Sequence, residues 1–409
     1  MNESNSNALH RTPLHALHLE HGGKMVAFAG YAMPVQYAAG IIKEHLHVRA
    51  AAGLFDVSHM GQIEVRAGDG DGDGHGDGDG DGEGHGDGDG EAIAAALEKL
   101  MPADLLNLPV GAQRYALLLD DSGGIVDDLM AQNLGGRFML VVNAARKVQD
   151  FALLRGALAV MPGDFQVRLL PRALLALQGP AAVEVLAGLI DGDGGGGDGG
   201  LDDFKFMQVR ESTVAGVDCI VSRSGYTGED GFELSLAADD AAVLAGRLLA
   251  DDRVQLAGLG ARDSLRLEAG LCLHGADITA AATPVEAGLN WAVAKVRRPG
   301  GARAGGYPGA QVIDAQLPAN TARVRVGLLP EGRAPVRAGA ALFAAATDAE
   351  VGVVTSGAFS PSLRRPVAMG YVAREFAGVD AGPMYTVVRA KRIDIAPAKL
   401  PFVAHRYHR

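Results

Sequence analysis

Two carboxylates sit side by side in the stretch GGIVDDLM (123–130), inside an apolar run that reads as a β-strand. Successive side chains of a strand point to opposite faces, so Asp127 and Asp128 must diverge and one of them faces the core side. A carboxylate there is costly unless it is hydrogen-bonded or meets a cationic ligand. A turn-capping Asp is the plainer alternative. A second candidate, Glu233, lies in SGYTGEDGFEL (224–234), where a glycine-rich turn runs into a strand. Alternation puts Glu233 on the face opposite Phe232 and Leu234, open to a ligand or simply to water. In GLGARDSLRLEAG (258–270) a turn precedes a helix, with Asp263 expected as its N-cap and Arg262 just ahead of it. A guanidinium in that place can meet a carboxylate or an aromatic ring, or it can be an ordinary surface group. Generic signatures are missing: there is no Walker loop, no GxSxG, no HExxH, and GLGARD (258–263) lacks the third glycine of a dinucleotide fingerprint.

The elements that would position these residues follow from periodicity. GQIEVRA (61–67) alternates as a strand and runs into a Gly/Asp tract. EAIAAALEKLM (91–101) puts Ile93, Leu97, Leu100 and Met101 on one helical face, with Pro102 as the stop. RYALLL (114–119) and RFMLVVN (137–143) read as strands flanking the turn DDSGG (120–124) and the acid pair. PAAVEVLAGLI (180–190) reads as an apolar helix, and 237–249 as an amphipathic helix with Asp239 and Asp240 at its start. After Arg297 the texture turns to Pro, Gly and Arg. From Arg323 onward, short alternating runs separated by Gly or Pro predict an antiparallel sheet or small barrel. A mixed α+β body with a C-terminal all-β domain is expected.

The chain has 409 residues, 48% hydrophobic, with a formal charge of −12 and 57 glycines. The glycine share is about twice the usual ~7%. From Gly68 to Gly90 every second residue is Gly, separated by nine acids and two histidines; 191–200 holds seven glycines and three aspartates. The acids of these two runs equal the whole net charge, so the other residues form a nearly neutral globular chain. A basic nucleic-acid binder and a largely disordered protein are thereby excluded. The acids of the first run all fall at odd positions, so position 12 of an EF-hand loop would always be Gly; solvated loop inserts are expected instead of a calcium site. Cys219 and Cys272 are the only cysteines, too few for a disulfide framework and not at zinc spacing. No apolar stretch reaches the ~18–20 residues needed to cross a bilayer. The N-terminal 24 residues lack a signal-peptide core. These features predict a cytoplasmic protein that binds neither membrane nor metal.

Longer stretches resemble the aminomethyltransferase (T-protein) family of the glycine cleavage system. They are RTPLHALH (11–18), KMVAFAGYAMPVQY (24–37), EHLHVRAAAGLFDVSHMGQIEV (44–65), GGIVDDLM, LVVNAARKVQD (140–150), SGYTGEDGFEL, GLGARDSLRLEAGLCLHGADIT (258–279), VTSGAFSPSL (354–363) and KLPFV (399–403). The resemblance spans about Arg11 to Tyr407. It implies a three-lobed α+β fold that binds folate centrally within 11–295, a linker over 296–322, and a C-terminal antiparallel β-barrel-like domain over 323–407. It also implies transfer of a one-carbon unit from an aminomethyl group on the dihydrolipoyl sulfur of a carrier, the H-protein, to tetrahydrofolate, with release of ammonia. Expelling a thiolate leaves a cationic iminium, which an oriented carboxylate stabilises; the same group could hold the folate amine or take its proton. By its match to the family pattern Asp128 takes that role, as base or as orienting group. Glu233 matches the folate-binding Glu, and Arg262, Tyr226, Tyr115, Asn143 and Tyr407 match other folate or substrate positions. His59, in the family signature SHM (58–60), is expected to pack and hydrogen-bond near the site.

Tyr31 stands where many members have Trp, and Ala276 in HGADI (274–278) where Gln is more usual. Two relatives on the same fold are the alternatives: a stand-alone folate-dependent demethylase, and a folate-binding iron–sulfur maintenance branch. The latter's Lys-Gly-Cys-Tyr hallmark is missing here, since Cys272 sits in GLCLHG.

Overall fold

A computed structural model describes residues 9–68, 87–190, 200–318, 321–378 and 381–409. Most of the two Gly/Asp runs, 69–86 and 191–199, lies outside the described residues, and with it the expected loop inserts. Three sheets and a barrel form the frame. A five-stranded antiparallel sheet has the order Ala112–Leu119, Ile125–Asn133, Arg137–Val142, Gly61–Ala67, Phe165–Leu169. A six-stranded mixed sheet has the order Val209–Val214, Val217–Ser222, Gly231–Ala237, Arg172–Gln178, Ala52–Asp56, Val254–Leu256. A small three-stranded sheet near the N-terminus is built from His10–Arg11, Tyr31–Gln36 and Lys24–Phe28. The C-terminal strands, from Arg323–Pro330 to Lys391–Ala398, close into a six-stranded antiparallel barrel. The expected α+β class with a C-terminal antiparallel barrel is what the chain adopts.

Each sheet is held by apolar side chains at the predicted spacing. Ile93, Leu97, Leu100 and Met101 all turn inward and pack on Ile63, Val65, Phe138 and Leu140 of the five-stranded sheet. The helix runs Asp87–Leu97, so it starts inside the first Gly/Asp run and ends before Leu100 and Met101, which lie in the turn and bend that follow it. Helix Ala241–Leu249 buries Leu244 and Leu248 against one face of the six-stranded sheet, while Val48, Ala261 and Leu265 cover the other with Phe55 and Ala176. Each such fully buried Leu or Phe contributes about 1.5–3 kcal/mol of hydrophobic stabilisation.

One strand is covered on both faces and one local expectation gives way. In GQIEVRA both Gln62 and Glu64 are buried along with Ile63 and Val65. The reason is a second covering layer: Gln62 Nε2 donates to Arg172 O and Ala173 O, and Ser235 Oγ donates to Gln62 Oε1, stitching this sheet to the six-stranded one. Asp263 is not an N-cap. Helix Leu259–Glu268 starts after Gly258, which is extended at φ −92° and ψ 179° and approaches the Val35 backbone where a Cβ would stand 2.6 Å from it. Asp263 therefore lies inside the helix and accepts from Arg266 Nε at 2.8 Å.

The same helix anchors the barrel. Strand Arg365–Ala373 is buried on both faces because Val367 and Met369 pack on Leu267 while Ala368 and Val372 fill the barrel interior. Glu268 at the helix end accepts from Ser360 Oγ at 2.5 Å, Ser362 N at 3.0 Å, Ser362 Oγ at 2.7 Å, Arg49 Nη2 at 2.9 Å and His45 Nε2 at 3.1 Å. Burial alone would raise its pKa, but these donors reverse that and hold it down at about 2.

Candidate active site

Strand register builds the first half of the site. Asp128 pairs with Leu117 across the five-stranded sheet, so Tyr115, two residues along the same strand, lies diagonally beside it on the same face. The Tyr115 hydroxyl donates to Asp128 Oδ2 at 3.0 Å. On the other side Leu129 pairs with Val142, which carries the next residue, Asn143, up to Asp128. Asn143 Nδ2 donates to Asp128 Oδ1 at 2.8 Å, to Asp128 O at 3.1 Å and to Asp127 Oδ1 at 2.9 Å, and its backbone N–H donates to Asp127 Oδ2 at 3.1 Å. The turn behind the strand admits only glycine: a Cβ on Gly124 would lie 2.1 Å from Ala280 O.

The two acids meet different fates, as alternation requires. Asp127 is completely buried, whereas Asp128 is half-buried and open on one side. Burial and the neighbouring Asp127 charge push the Asp128 carboxyl up to about 7, while the hydrogen bonds from Tyr115 and Asn143 restrain the rise. A carboxyl at that value exchanges a proton near neutral pH.

The turn 224–228 and helix Leu259–Glu268 build the second half. Gly225 leaves space for Gln178, whose Oε1 would lie 1.8 Å from a Cβ there; Gln178 Nε2 donates to Ser224 O at 2.8 Å and Thr227 Oγ1 donates to Gln178 Oε1 at 2.9 Å. The braced turn presents Tyr226, whose hydroxyl donates to Cys272 O. Arg262 lies over the Tyr226 ring, 4.7 Å from its centroid. Burial pulls the Arg262 pKa down and the Glu233 charge offsets part of that. Arg262 Nη1 is buried and has no hydrogen-bond partner among the described residues. Glu233, half-buried between the fully buried Phe232 and Leu234, accepts from Ser224 Oγ at 2.7 Å on one oxygen and has no donor on the other among the described residues.

Six of the seven residues singled out from the sequence thus fall into two groups, Asn143–Asp128–Tyr115 joined by hydrogen bonds and Tyr226–Arg262–Glu233 joined by a cation–ring contact and by charge, with the Asp128 charge acting across on Tyr226. Tyr407 stands apart: it stacks on Phe206 at 4.0 Å between centroids, with His405 at 4.8 Å, and no hydrogen bond, ion pair or ring contact joins it to the others among the described residues. His59 is buried; burial and the Arg262 charge hold its imidazole at about 4, so it is neutral at pH 7. It packs edge-on against Phe28, 5.6 Å between centroids, but its Nδ1 has no partner, so packing and not side-chain hydrogen bonding is its contribution. Sequence reasoning missed three neighbours. Trp291, 63% exposed, lies against Tyr115 at 5.1 Å; His274 Nδ1 stands 3.7 Å from Asp127 Oδ1; and Asp150 is buried behind Asp127. No local pattern announces them, because each reaches the site from a separate segment.

Comparison with known proteins agrees with this arrangement. The family model described as the GCVT N-terminal domain matches residues 14–71 and 81–297, and that of the glycine cleavage T-protein C-terminal barrel domain matches 323–404. The chain is 40% identical to the mitochondrial aminomethyltransferase of Dictyostelium discoideum, over 99% of this chain and 95% of that one. It is 41% identical to the mitochondrial aminomethyltransferase of Homo sapiens, over 98% and 91%. The crystal structure of the glycine cleavage system aminomethyltransferase T from Bartonella henselae superposes with a TM-score of 0.84 at 43% identity, covering 98% of this chain and all of that one. The cytoplasmic location expected from composition is overturned by the relatives' names, which are mitochondrial. The physical reason is plain: a near-neutral composition and two unpaired buried thiols specify a reducing compartment and do not separate one such compartment from another.

Proposed function

The chain belongs to the glycine cleavage T-protein family and is an aminomethyltransferase, and from that premise we propose its substrates and the roles of its residues. The one-carbon acceptor is tetrahydrofolate. The donor is the aminomethyl group on the dihydrolipoyl sulfur of the H-protein, which docks transiently. Over the reaction the carbon loses its bonds to sulfur and to the amino nitrogen and gains bonds to two folate nitrogens. The two protons released from those nitrogens end on the sulfur and on the departing ammonia.

The fit of a reduced pterin to the second half of the site supports this reading. Among the described residues Arg262 Nη1 is buried and lacks a partner, Glu233 has one oxygen without a donor, and the Tyr226 ring offers a flat face beside them. A carboxylate can accept paired N–H groups from the heterocycle, and an aromatic or guanidinium plane can stack on it. Trp291 and Tyr115 supply a further aromatic surface next to Asp128. Tyr407 contacts substrate from the C-terminal tail only if that tail shifts, since in the present arrangement it packs on Phe206.

Asp128 is the catalytic carboxylate. The observation that carries the proposal is its setting: two donors fix its orientation while burial and Asp127 bring its proton affinity near neutrality. Ionised, it stabilises positive charge developing at the carbon after the thiolate departs. It then accepts a proton from the attacking folate amine, a transfer worth about 10²–10⁴ in rate for a well-placed base. Tyr115 and Asn143 orient it.

The test is ammonia release from aminomethylated lipoyl carrier. Release should require tetrahydrofolate, and Asp128→Asn should lower the folate-dependent rate by about 10²-fold or more. Folate-independent release, or an unchanged rate in Asp128→Asn, would refute the assignment.

A further inference from the structure

Behind Asp128 lies a second pair of acids. Asp127 and Asp150 are both completely buried. Asp127 receives donors on both oxygens, from the Asn143 side chain and the Asn143 backbone. Asp150 is the fourth residue of helix Lys147–Leu158, and its own N–H is committed to Arg146 O. Among the described residues neither of its carboxyl oxygens receives a hydrogen bond, and both are buried. Among the described residues the cation paired with it is Arg146, whose Nε is 4.0 Å from Oδ1, at the limit of an ion pair. The Asp127 carboxyl lies beside it and acts on it through both hydrogen bonding and charge.

Two facing buried anions repel each other and each loses its hydration, a combination that proteins avoid by binding a counter-charge or keeping a proton. The groups around the pair are Asp128 on the same strand, Asn143 at the end of the next strand, Arg146 at the helix start, and His274 at 3.7 Å from Asp127. Among the described residues no three His, Cys, Asp or Glu side chains converge as a metal-binding group. A proton remains. It converts Asp150 from an acceptor without a donor into a donor facing an acceptor, and so satisfies both carboxyls at once.

We propose that Asp150 is a neutral carboxylic acid that donates its proton to Asp127, and that the pair is a positioning device holding Asn143 against Asp128. Burial and the Asp127 charge both raise the Asp150 pKa, the direction this requires. Asn143 Nδ2 has two hydrogens and three acceptors within reach, on Asp127 and Asp128. The orientation of Asp127 therefore decides how Asn143 is shared, and through it how Asp128 is aimed. The positioning role rests on Asp128 being the catalytic carboxylate; the protonation state of Asp150 does not.

Infrared difference spectroscopy of the full chain, wild type minus Asp150→Asn at neutral pH, reads the proton directly. A carboxylic-acid carbonyl band present in wild type and lost in the variant is expected; its absence overturns the proposal whether or not the enzyme turns over. The kinetic arm uses the folate-dependent ammonia assay. The Asn amide can replace the acid as donor, so Asp150→Asn should keep the rate within about threefold and the acid-limb midpoint unmoved, whereas Asp150→Ala should lower kcat about 10–100-fold with little change in KM. A midpoint that falls by a full unit in Asp150→Asn means a negative charge was removed, and sinks the idea. Wild-type kcat in a folded Asp150→Ala sinks the positioning role. If the Ala variant does not fold, the Asn spectrum and pH profile decide.

Discussion

Holding Asp128 at about 7 instead of the ordinary 3.8 must destabilise the folded protein whenever the group is ionised. The native state keeps a proton that the unfolded chain has already released, so between those two values unfolding sheds a proton and stability falls as pH rises. Below about pH 4 the group is neutral in both states and contributes no slope; above about 7 it is ionised in both and the loss is complete. The full shift of about three units corresponds to roughly 4 kcal/mol, an upper bound because the carboxyl is half-buried and partly screened. Two of those units fall between pH 5 and pH 7, so that interval should cost wild type up to about 3 kcal/mol through this one group. Asp128→Asn carries no charge at any pH and escapes the loss. Its amide can be accommodated, with Asn143 donating to the amide oxygen and the Tyr115 hydroxyl turning to accept from the amide nitrogen. Urea or thermal unfolding of both proteins at pH 5, 6.5 and 8 gives the comparison, and the pH dependence of groups remote from Asp128 cancels in the difference. The variant should gain on wild type from pH 5 to about 7 and then level off, being the more stable protein at pH 8 while losing folate-dependent turnover. Parallel stability curves would refute the idea that burial and Asp127 raise this carboxyl.

Two further outcomes are expected. Glu233→Gln and Arg262→Lys should each weaken tetrahydrofolate binding by about tenfold or more, one by losing a charge-assisted acceptor and the other by losing the planar guanidinium over Tyr226; calorimetric or fluorescence titration of the intact chain checks this, and wild-type affinity in both would remove them from the folate site. Glu268→Ala leaves Arg49 buried without its Glu268 partner at the barrel anchor and should cost about 3–5 kcal/mol in chemical denaturation, a loss below about 1 kcal/mol contradicting the anchor.

Much of this was legible because strand alternation and helix periodicity are local. The apolar run around Asp127 and Asp128 required one acid inward and one outward, and the structure buries Asp127 and opens Asp128. The face Ile93, Leu97, Leu100, Met101 turned inward as spaced. What failed depended on partners distant in sequence. Gln62 is buried by residues more than a hundred positions away, and Glu64 by the guanidinium groups of Arg66 and Arg137, neither of which the alternation of GQIEVRA announces. Asp263 had the right residue type for a cap, but the close approach of Gly258 to Val35 sets the helix start five residues earlier. Glu268 reads as one more polar residue of an amphipathic helix, and only the serines at 360 and 362 make it the barrel's anchor.

The acid pair shows why family motif and physical setting answer different questions. A motif can single out Asp128, but its usefulness near neutral pH comes from Asp127, whose fixed charge lies one residue away on the other face of the strand. That charge would be intolerable at zero exposure without Asn143 donating to both its oxygens. Asn143 in turn spends the same amide on Asp128, so the group that stabilises the perturbing charge also aims the perturbed one. Replacing Asp127 by Asn should therefore do two opposed things. It removes the charge that raises Asp128, moving the acid limb of the rate profile downward, and it disrupts the donor set, lowering kcat at every pH. A variant that lost rate with the acid limb unmoved would mean Asp127 is only a scaffold, and that burial alone accounts for the proton affinity of Asp128.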